Sequence, residues 1–180
     1  IGDCQYGIYR CVLDARDSYS DRYKYITYYK SNPQIMSFGV PRQLGIDINN
    51  KYNYSDINSG IYNYDITLES RDIIIIGSDG LWDNLWDTEI EKIIEECMDR
   101  LDINTDKYNL RKNSDKENEI DKLISNGYIT QRLFSTCKDK TSKQAFGIET
   151  PWSRYMTDQM EMVYSGGRID DISCIVLLIH

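Results

Sequence analysis

Residues 73–101 read IIIIGSDGLWDNLWDTEIEKIIEECMDRL, and this stretch decides the fold. It opens with four consecutive isoleucines at 73–76, which have charged residues on one side and Gly77 on the other. A short run of β-branched residues between turn signals is typical of a strand buried on both faces. We therefore predict such a strand here, and it leads directly into the loop GSDG at 77–80.

From Thr88 onward the apolar residues change to a helical spacing. Charged residues fill the positions between them, which is the pattern of a helix with one buried face. The apolar positions are Ile90, Ile93, Ile94, Cys97, Met98 and Leu101. Thr88 and Glu91 also have the spacing of an N-terminal capping box. The sequence therefore predicts an amphipathic helix over 88–101.

Four further strands are predicted around this stretch. Apolar and aromatic residues at 5–13 and 21–29 favour two strands joined as a hairpin. A short strand is expected near the start of 65–80, ahead of a polar turn at 69–72. The segment 170–180 has apolar residues on both faces, so we predict a central strand there.

A second helical stretch is predicted over 119–140, where Gly127 is a candidate break. Its apolar positions are Ile120, Leu123, Ile124, Leu133, Phe134 and Cys137. The segments 46–64 and 102–119 are almost wholly polar and are interpreted as surface insertions. Strands followed by helices and a returning strand indicate an α+β domain with helices packed outside a sheet.

Composition limits the classes of function. The chain has 180 residues, a hydrophobic fraction of 41% and a formal charge of −8, with a pI near 4.7. This length fits one domain or a large part of one. The acidic balance argues against nucleic acid as a partner, and the short apolar runs argue against membrane insertion. A divalent cation, or a phosphorylated substrate bound through one, remains compatible with this charge.

The five cysteines include no CxxC pair, and we interpret them as reduced core thiols of an intracellular protein. The one histidine is His180 at the C-terminal end, which disfavours a zinc site. Cys4 lies beside Asp3, and a buried inert thiol is favoured there over an oxidation-sensitive one.

Three acidic segments carry the candidate chemistry. Asp79 follows the isoleucine strand, and Asp83 lies four residues later, so a helical turn would turn both carboxylates the same way. Asp170 and Asp171 follow a glycine pair at the start of the last strand. Asp3 follows Gly2 just before the first strand.

Taken singly, each acidic segment is better explained by a structural role, such as turn or capping hydrogen bonds or a solvated acidic turn. Taken together, the three place an Asp beside Gly at the end of a strand. Converging carboxylates without Cys or His neighbours form an oxygen-rich site suited to Mg²⁺ or Mn²⁺. Two such ions can activate water and hold a phosphoryl group for displacement.

These segments resemble the metal-dependent protein phosphatases of the 2C type (the PPM family), which are serine/threonine phosphatases. GSDGLWDNL at 77–85 is similar to the metal-coordinating segment of that family, and GGRIDDISCIVLLI at 166–179 is similar to its C-terminal segment. IGDCQYGIYR at 1–10 resembles its central Gly-Asp strand. NPQIMSFGVPRQLG at 32–45 and the stretch 144–167 are more similar to the mitochondrial, Ptc-seven-like branch.

The resemblance implies an α-β-β-α sandwich, in which two packed antiparallel sheets are flanked by helices and the metals lie at one end between the sheets. By position, Asp79 and Asp170 would bind the central pair of Mg²⁺ or Mn²⁺ ions. Asp83 and Asp3, together with Asp79, would help to hold a third and weaker metal. The supporting positions are Gly80 and Asp171.

The resemblance also implies the reaction, which is hydrolysis of phosphoserine or phosphothreonine in a protein substrate by metal-activated water. No separate catalytic side chain and no phosphoenzyme are expected. The family's other metal-binding Asp-Gly pair and its phosphate-binding Arg lie upstream of the Gly-Asp strand, where this chain begins. We therefore expect residues 1–180 to be the C-terminal part of a single catalytic domain, N-terminally truncated and weak or inactive alone.

Further expectations concern the state of the protein. A truncated domain should expose a sheet edge and apolar surface where missing strands would pair. We expect a monomer, and the resemblance leaves a mitochondrial or a cytoplasmic location open.

Two other functions remain open at this point. One is a pseudophosphatase, a non-catalytic binding module on the same fold. The other is an acidic cation-binding protein with a preference for Ca²⁺, although no DxDxDG loop supports it.

Several residues have simpler interpretations than a role in catalysis. Trp82 and Trp86 are favoured as core anchors over a substrate clamp. The tyrosines at 23–29 are interpreted as hairpin packing. For Arg168, an ion pair with the neighbouring Asp170-Asp171 is favoured over attraction of phosphate.

Overall fold

The computed structural model describes residues 2–14, 23–37, 40–42, 65–99, 122, 124–142 and 146–180. The two predicted polar insertions, at 46–64 and 102–119, lie outside these residues. The strands are β1 (Gln5–Leu13), β2 (Tyr23–Lys30), β3 (Ile35–Ser37), β4 (Val40–Pro41), β5 (Ile73–Gly77) and β6 (Cys174–Leu178). The helices are α1 (Asp79–Trp82), α2 (Asp87–Asp99), α3 (Tyr128–Lys140) and α4 (Pro151–Met160).

The main sheet is antiparallel and has four strands in the order β2-β1-β5-β6. The predicted strands at 5–13 and 21–29 are confirmed as antiparallel neighbours, although β2 begins at Tyr23. Gly77, at the end of β5, pairs with Gln5 of β1 on one side and with Cys174 of β6 on the other. β3 and β4 form a separate two-stranded ribbon.

β5 is a central strand, but within the described residues it is fully buried on one face only. Ile73 and Ile75 are 0% exposed, whereas Ile76 on the opposite face is 39% exposed. The predicted burial of both faces was therefore wrong for these residues, because the helices α2 and α3 cover one side of the sheet.

β6 lies at an edge of the described sheet and not at its centre, which corrects the prediction for 170–180. Val176 and Leu178 pack against the buried core, whereas Ile175 is 57% exposed and Leu177 is 43% exposed. The second apolar face of this strand therefore belongs to a sheet face that is exposed at β6 and at Ile76, although Ile8 of β1 on the same face is buried. We call Ile76, Ile175 and Leu177 the open sheet face.

Helix α2 confirms the predicted amphipathic helix over its described residues and begins one residue earlier, at Asp87. Arg100 and Leu101, the last residues of the prediction, lie outside the described residues. It packs against β2 and α3. Its buried residues are Ile90, Ile93, Ile94, Cys97 and Met98. Burial of each large apolar side chain is worth roughly 1.5–3 kcal/mol, so this packed face contributes more to the helix than its intrinsic propensity does.

The predicted capping box of Thr88 and Glu91 is not formed. The Trp86 backbone N–H instead donates to the Glu89 carboxylate over 2.9 Å. The reason is that Glu91 is engaged elsewhere, since its Oε1 accepts the backbone N–H and the hydroxyl of Thr27, both over 2.7 Å.

The carboxylates of α2 protect the outer edge of β2. Glu91 accepts the backbone N–H of Thr27, and Glu95 accepts that of Tyr25 over 3.2 Å. These are backbone donors that an edge strand would otherwise present for pairing with another chain. The residues that the sequence pattern placed on a solvated helix face therefore have a structural role.

The second helical stretch is confirmed in part. α3 begins directly after Gly127, whose φ of 66° lies in the left-handed region, so this glycine is the predicted break. Leu133 and Cys137 are fully buried as expected, but Phe134 is 47% exposed, because its neighbour Leu133 occupies the buried face of the helix. The side chains of Ile120 and Leu123 lie outside the described residues.

One local prediction was wrong, one was confirmed, and one helix was missed. The short strand expected near the start of 65–80 is not formed, and the segment 65–69 is mostly exposed. The turn at 69–72 is confirmed by a hydrogen bond from the Asp72 N–H to the Glu69 carbonyl. Helix α4 was not predicted, although Thr150 and Ser153 cap its start reciprocally and Pro151 follows Thr150.

No helix in the part of the chain that the structure describes combines the length and apolarity needed to cross a bilayer.

A buried ion pair fixes the start of β5. Asp72 is 1% exposed and receives two bonds from Arg10, Nε to Oδ1 over 3.0 Å and Nη2 to Oδ2 over 2.8 Å. The Glu69 N–H also donates to Oδ2. A buried carboxylate of this kind is strongly destabilising unless its bidentate arginine partner is present.

Arg10→Ala should therefore lower the free energy of unfolding by about 3–5 kcal/mol, because the Asp72 charge stays buried without its partner. Urea denaturation measures this loss. As a control, Arg132→Ala breaks the exposed pair with Glu96 and should cost less than about 1 kcal/mol. Equal losses in the two variants would contradict this account of the β5 start.

The five cysteines form no disulfide, and their burial differs. Cys97 and Cys137 are buried, and Cys11 and Cys174 are partly buried. Cys4 is exposed, so its predicted burial was wrong, because it precedes β1 and lies outside the packed sheet. Burial raises the pKa of the Cys137 thiol to about 12.

Iodoacetamide at mildly alkaline pH should consequently alkylate Cys4 first and Cys137 far more slowly, since the thiolate is the reactive form. Peptide mass spectrometry of the native protein over time measures the order. In denaturant the five rates should converge. Native-state labelling of Cys137 as fast as Cys4 would contradict the packing of α3.

Candidate functional site

The register of the sheet brings three distant acidic segments to one end. Gly77, Gln5 and Cys174 are paired side by side across the sheet. Asp79 follows Gly77 by two residues, Asp3 precedes Gln5 by two, and Asp170 precedes Cys174 by four. Neighbouring strands are antiparallel, so the start of β1, the end of β5 and the start of β6 lie at the same end of the sheet. All three acidic segments therefore meet there.

Helix α1 is a single turn, with one candidate carboxylate, Asp79, at its start and another, Asp83, at its C-cap. The Asp83 N–H donates to the Asp79 carbonyl over 2.8 Å, which closes the turn. The Trp82 indole N–H donates to the Gly77 carbonyl over 2.9 Å and anchors the turn to β5. The prediction that Asp79 and Asp83 face the same way is met, since both carboxylates contact one cation described below.

Ser78 joins this turn to the segment that carries Asp170. Its hydroxyl donates to the Asp171 carbonyl over 2.9 Å and accepts the Ser173 N–H over 3.1 Å. Its own N–H donates to the Ser173 carbonyl. The Asp170 carboxylate in turn accepts the Asp171 N–H. The two acidic segments are thus held together through backbone groups.

The two supporting positions act through the backbone. A Cβ placed on Gly80 would lie 2.4 Å from the Asp171 carbonyl oxygen, so α1 approaches this segment closely because residue 80 has no side chain. Asp171 contributes that carbonyl, which also accepts the Ser78 hydroxyl.

Asn84 was missed by the sequence analysis and joins the same two segments. It is 0% exposed, and its amide nitrogen donates to the carbonyls of Gly80 over 2.8 Å and Arg168 over 2.9 Å. Its amide oxygen has no partner among the described residues, and a Cβ on Gly167 would lie 2.2 Å from it. A polar residue inside the tryptophan-rich GSDGLWDNLWD segment was the available signal.

Arg168 is the centre of the acidic cluster. Its Nη1 lies 2.9 Å from Asp79 Oδ2 and 2.7 Å from Asp83 Oδ2, and its Nη2 lies 3.1 Å from Asp170 Oδ2. The predicted ion pair is thus formed with Asp170, and it extends to Asp79 of α1 and its C-cap residue Asp83, which the local sequence did not suggest. We call Asp3, Asp79, Asp83 and Asp170 the aspartate cluster.

A cavity of about 310 Å³ opens beside this cluster, and Asp3, Asp79, Asp83 and Arg168 line it. Its less polar wall is formed by Pro33, Ile35, Trp82, Pro151, Trp152 and Tyr155. The Trp152 N–H donates to the Asp83 carbonyl over 2.9 Å, so α4 is fixed against the site. Trp82 is 3% exposed, which confirms it as a core residue, and it also contributes to this wall.

A second cation, Lys30, also lines the cavity and was not predicted. Its Nζ lies 2.7 Å from Asp87 and 4.7 Å from the centre of the Trp82 ring. The ion pair and the cation–π contact hold this ammonium group in place.

The aspartate cluster carries more negative charge than Arg168 balances. Burial is the main cause that raises the pKa of Asp79, followed by the charges of Asp170 and Asp3, while Arg168 lowers it less. Burial likewise raises the pKa of Asp83, against the opposing bond from Arg168. Charged carboxylates are therefore unfavourable here, and an additional cation would relieve the repulsion.

The donor set fits a hard metal ion, because it consists of carboxylate oxygens. The side chains are not arranged as metal ligands, however. Among the described residues, no three His, Cys, Asp or Glu side chains lie in positions that could hold one metal ion. Asp79, Asp83 and Asp170 turn toward the Arg168 guanidinium instead. The structure thus brings the four predicted residues together, and their role as metal ligands stays a prediction.

No family model matches this chain. It is 26% identical over 153 residues to the probable protein phosphatase 2C 71 of Oryza sativa subsp. japonica, a match that covers 85% of this chain and 26% of that protein. The fold matches the solved structure of the photosystem II phosphatase PBCP with a TM-score of 0.62 and 17% identity, over 100% of this chain and 57% of that one.

Both relatives are phosphatases. The predicted α+β fold, with an antiparallel sheet flanked by helices, is confirmed by the match to PBCP, and the similarity to a 2C phosphatase supports the resemblance seen in the sequence. The chain spans about a quarter of the rice protein and little more than half of PBCP.

Gly80→Ala should lower the free energy of unfolding by about 1–3 kcal/mol, because the new methyl group would press against the Asp171 carbonyl. Urea denaturation measures the change. Asp171→Ala keeps the carbonyl and removes only an exposed side chain, so it should stay within about 0.5 kcal/mol of the wild type. A fully stable Gly80→Ala variant would show that α1 and this segment are not tightly packed.

Proposed function

We propose that this chain is the C-terminal part of the catalytic domain of a metal-dependent protein serine/threonine phosphatase of the 2C type, on the Ptc-seven-like branch. The observation that carries the proposal is the aspartate cluster itself. Carboxylates from three separate segments meet at one end of the sheet, beside a cavity, in a chain whose fold matches a phosphatase. The open sheet face fits a domain that continues beyond the described elements.

In this proposal Asp79 and Asp170 bind two Mg²⁺ or Mn²⁺ ions, and Asp83 and Asp3 help to hold a third. When bound, the ions would supply a nucleophile from water and positive charge opposite the phosphoryl oxygens. The substrate is a phosphoserine or phosphothreonine side chain on a protein.

The chain's own residues bind and orient that substrate. Lys30, held by Asp87 and Trp82, places a fixed positive charge in the cavity for an incoming phosphate group. Trp82, Trp152 and Tyr155 line one side of the cavity and would shield that side of a bound phosphate from water. Electrostatic interactions are stronger in such a partly dry site than in bulk water.

A pseudophosphatase is the second candidate, and one observation favours it. The Arg168 guanidinium already partners three carboxylates of the aspartate cluster, as it would in a scaffold that never binds metal. The two candidates differ in their response to Mn²⁺.

Thermal unfolding in EDTA and in Mn²⁺ separates them. A ligand that binds only the folded state stabilises it by about 2.7 kcal/mol at 100 times its Kd, so an enzyme should gain stability in Mn²⁺ and a scaffold should not. Asp79→Asn should lose most of this gain, whereas the exposed control Asp158→Asn should keep it.

In EDTA, the effect of Asp79→Asn on the unfolding temperature should have the opposite sign. When folding raises the pKa of a carboxyl group, the folded protein loses stability as the pH rises through that pKa. Folding raises the pKa of Asp79, so its ionised form destabilises the metal-free protein at neutral pH. The variant should therefore unfold at the same or a higher temperature than the wild type. If Mn²⁺ stabilises Asp79→Asn and the wild type equally, Asp79 is not a ligand.

Activity is tested in the parent polypeptide that contains this chain. Asp79→Ala and Asp170→Ala should each reduce Mn²⁺-dependent kcat on a phosphothreonine peptide by roughly 10²-fold or more, because each removes a ligand of the central pair. The 180 residues alone should turn over weakly or not at all. Full activity in either variant would remove that residue from the proposed site.

A further inference from the structure

The position of Arg168 suggests a role that goes beyond an ion pair. Its guanidinium contacts Asp79, Asp83 and Asp170 at once, and in each case the contacted atom is a carboxylate oxygen, Oδ2. These are atoms that a divalent ion in the proposed site would need. A guanidinium and a metal ion cannot bind the same oxygens closely without strong mutual repulsion.

The backbone of Arg168 is fixed independently of its side chain. The Arg168 carbonyl accepts the amide of Asn84, which is 0% exposed, and the neighbouring Gly167 N–H donates to the Lys140 carbonyl over 2.8 Å. The side chain is 30% exposed and lines the cavity, so it has room to leave the carboxylates while its backbone stays in place.

We propose that Arg168 is the resident counter-ion of the aspartate cluster, that metal loading displaces its guanidinium into the cavity, and that it there binds the phosphoryl group of the substrate. The inference rests on the proposed function, because it needs a metal-binding cluster. It combines the two roles that the sequence left as alternatives for Arg168, an ion pair with the acidic residues and attraction of phosphate, into successive states of one side chain.

The chemistry of the side chain supports this assignment. A planar guanidinium presents paired donors that match two oxygens of a phosphate as well as they match a carboxylate. Once a metal ion neutralises the carboxylates, the remaining anion in the cavity is the phosphate group. Lys30 lines the same cavity and adds a second positive charge to its wall.

Mn²⁺ binding to the chain, followed by the electron paramagnetic resonance signal of free Mn²⁺, tests the first half of the proposal. Arg168→Gln removes the competitor and should lower the Kd for Mn²⁺ roughly tenfold or more. Arg168→Lys keeps the charge, but an ammonium group lacks the planar, paired N–H donors that bind several carboxylates at once. This variant should therefore give an intermediate Kd. Arg132→Gln makes the same change in net charge at the exposed pair with Glu96 and should leave the Kd unchanged.

The second half is tested with inorganic phosphate in saturating Mn²⁺, by isothermal titration calorimetry. Arg168→Gln should weaken phosphate binding roughly tenfold, while Arg132→Gln should not. Circular dichroism and urea denaturation confirm that each variant is folded, and Arg168→Lys provides a second variant if Arg168→Gln is not.

The outcomes separate this inference from the proposed function. If the wild type binds Mn²⁺ but Arg168→Gln binds it no more tightly, or if Arg132→Gln tightens binding equally, Arg168 is not the competing counter-ion. Unchanged phosphate binding in Arg168→Gln overturns its role toward the substrate. If neither the wild type nor Arg168→Gln binds Mn²⁺, the proposed metal site itself is wrong, and this inference with it.

Discussion

The pairing of β5 with β1 and β6 is the constraint on which the rest of the molecule depends. Its antiparallel register aligns Gln5, Gly77 and Cys174 in one row across the sheet. A slip of one residue in either pairing would turn every side chain of a strand to the other face and separate the acidic segments. Packing of Ile73 and Ile75 under the helices holds this register, because it is the arrangement that buries them completely.

The candidate site uses this register at an energetic cost. Four carboxylates meet where the sheet ends, and burial and mutual repulsion raise the pKa of Asp79 and Asp83. The surrounding backbone bonds, from Ser78 and Asn84, keep the segments together in spite of that repulsion. Strain of this kind, compensated by packing elsewhere, is typical of functional sites.

The arrangement of the sheet and helices agrees with the match to the fold of PBCP. Helices cover one face of the sheet, and the open sheet face presents large apolar side chains on the other. The chain covers 57% of the phosphatase whose fold it matches. The resemblance implies a second sheet, and the open sheet face is a surface of the chemistry that such a sheet would cover.

The sequence alone determined the local features, namely the strands around 73–76 and 5–13, the helix from residue 88 and the break at Gly127, because these depend on the spacing of neighbouring residues. It also identified the four aspartates as one set. Tertiary structure decided which face of β5 is buried, that β6 lies at an edge, and that Arg168 and Asn84 join the site. The contacts that join Arg168 to Asp79, Asp83 and Asn84 span more than 80 positions, and the burial of β5 and the position of β6 depend on how whole elements pack together. No local pattern records either.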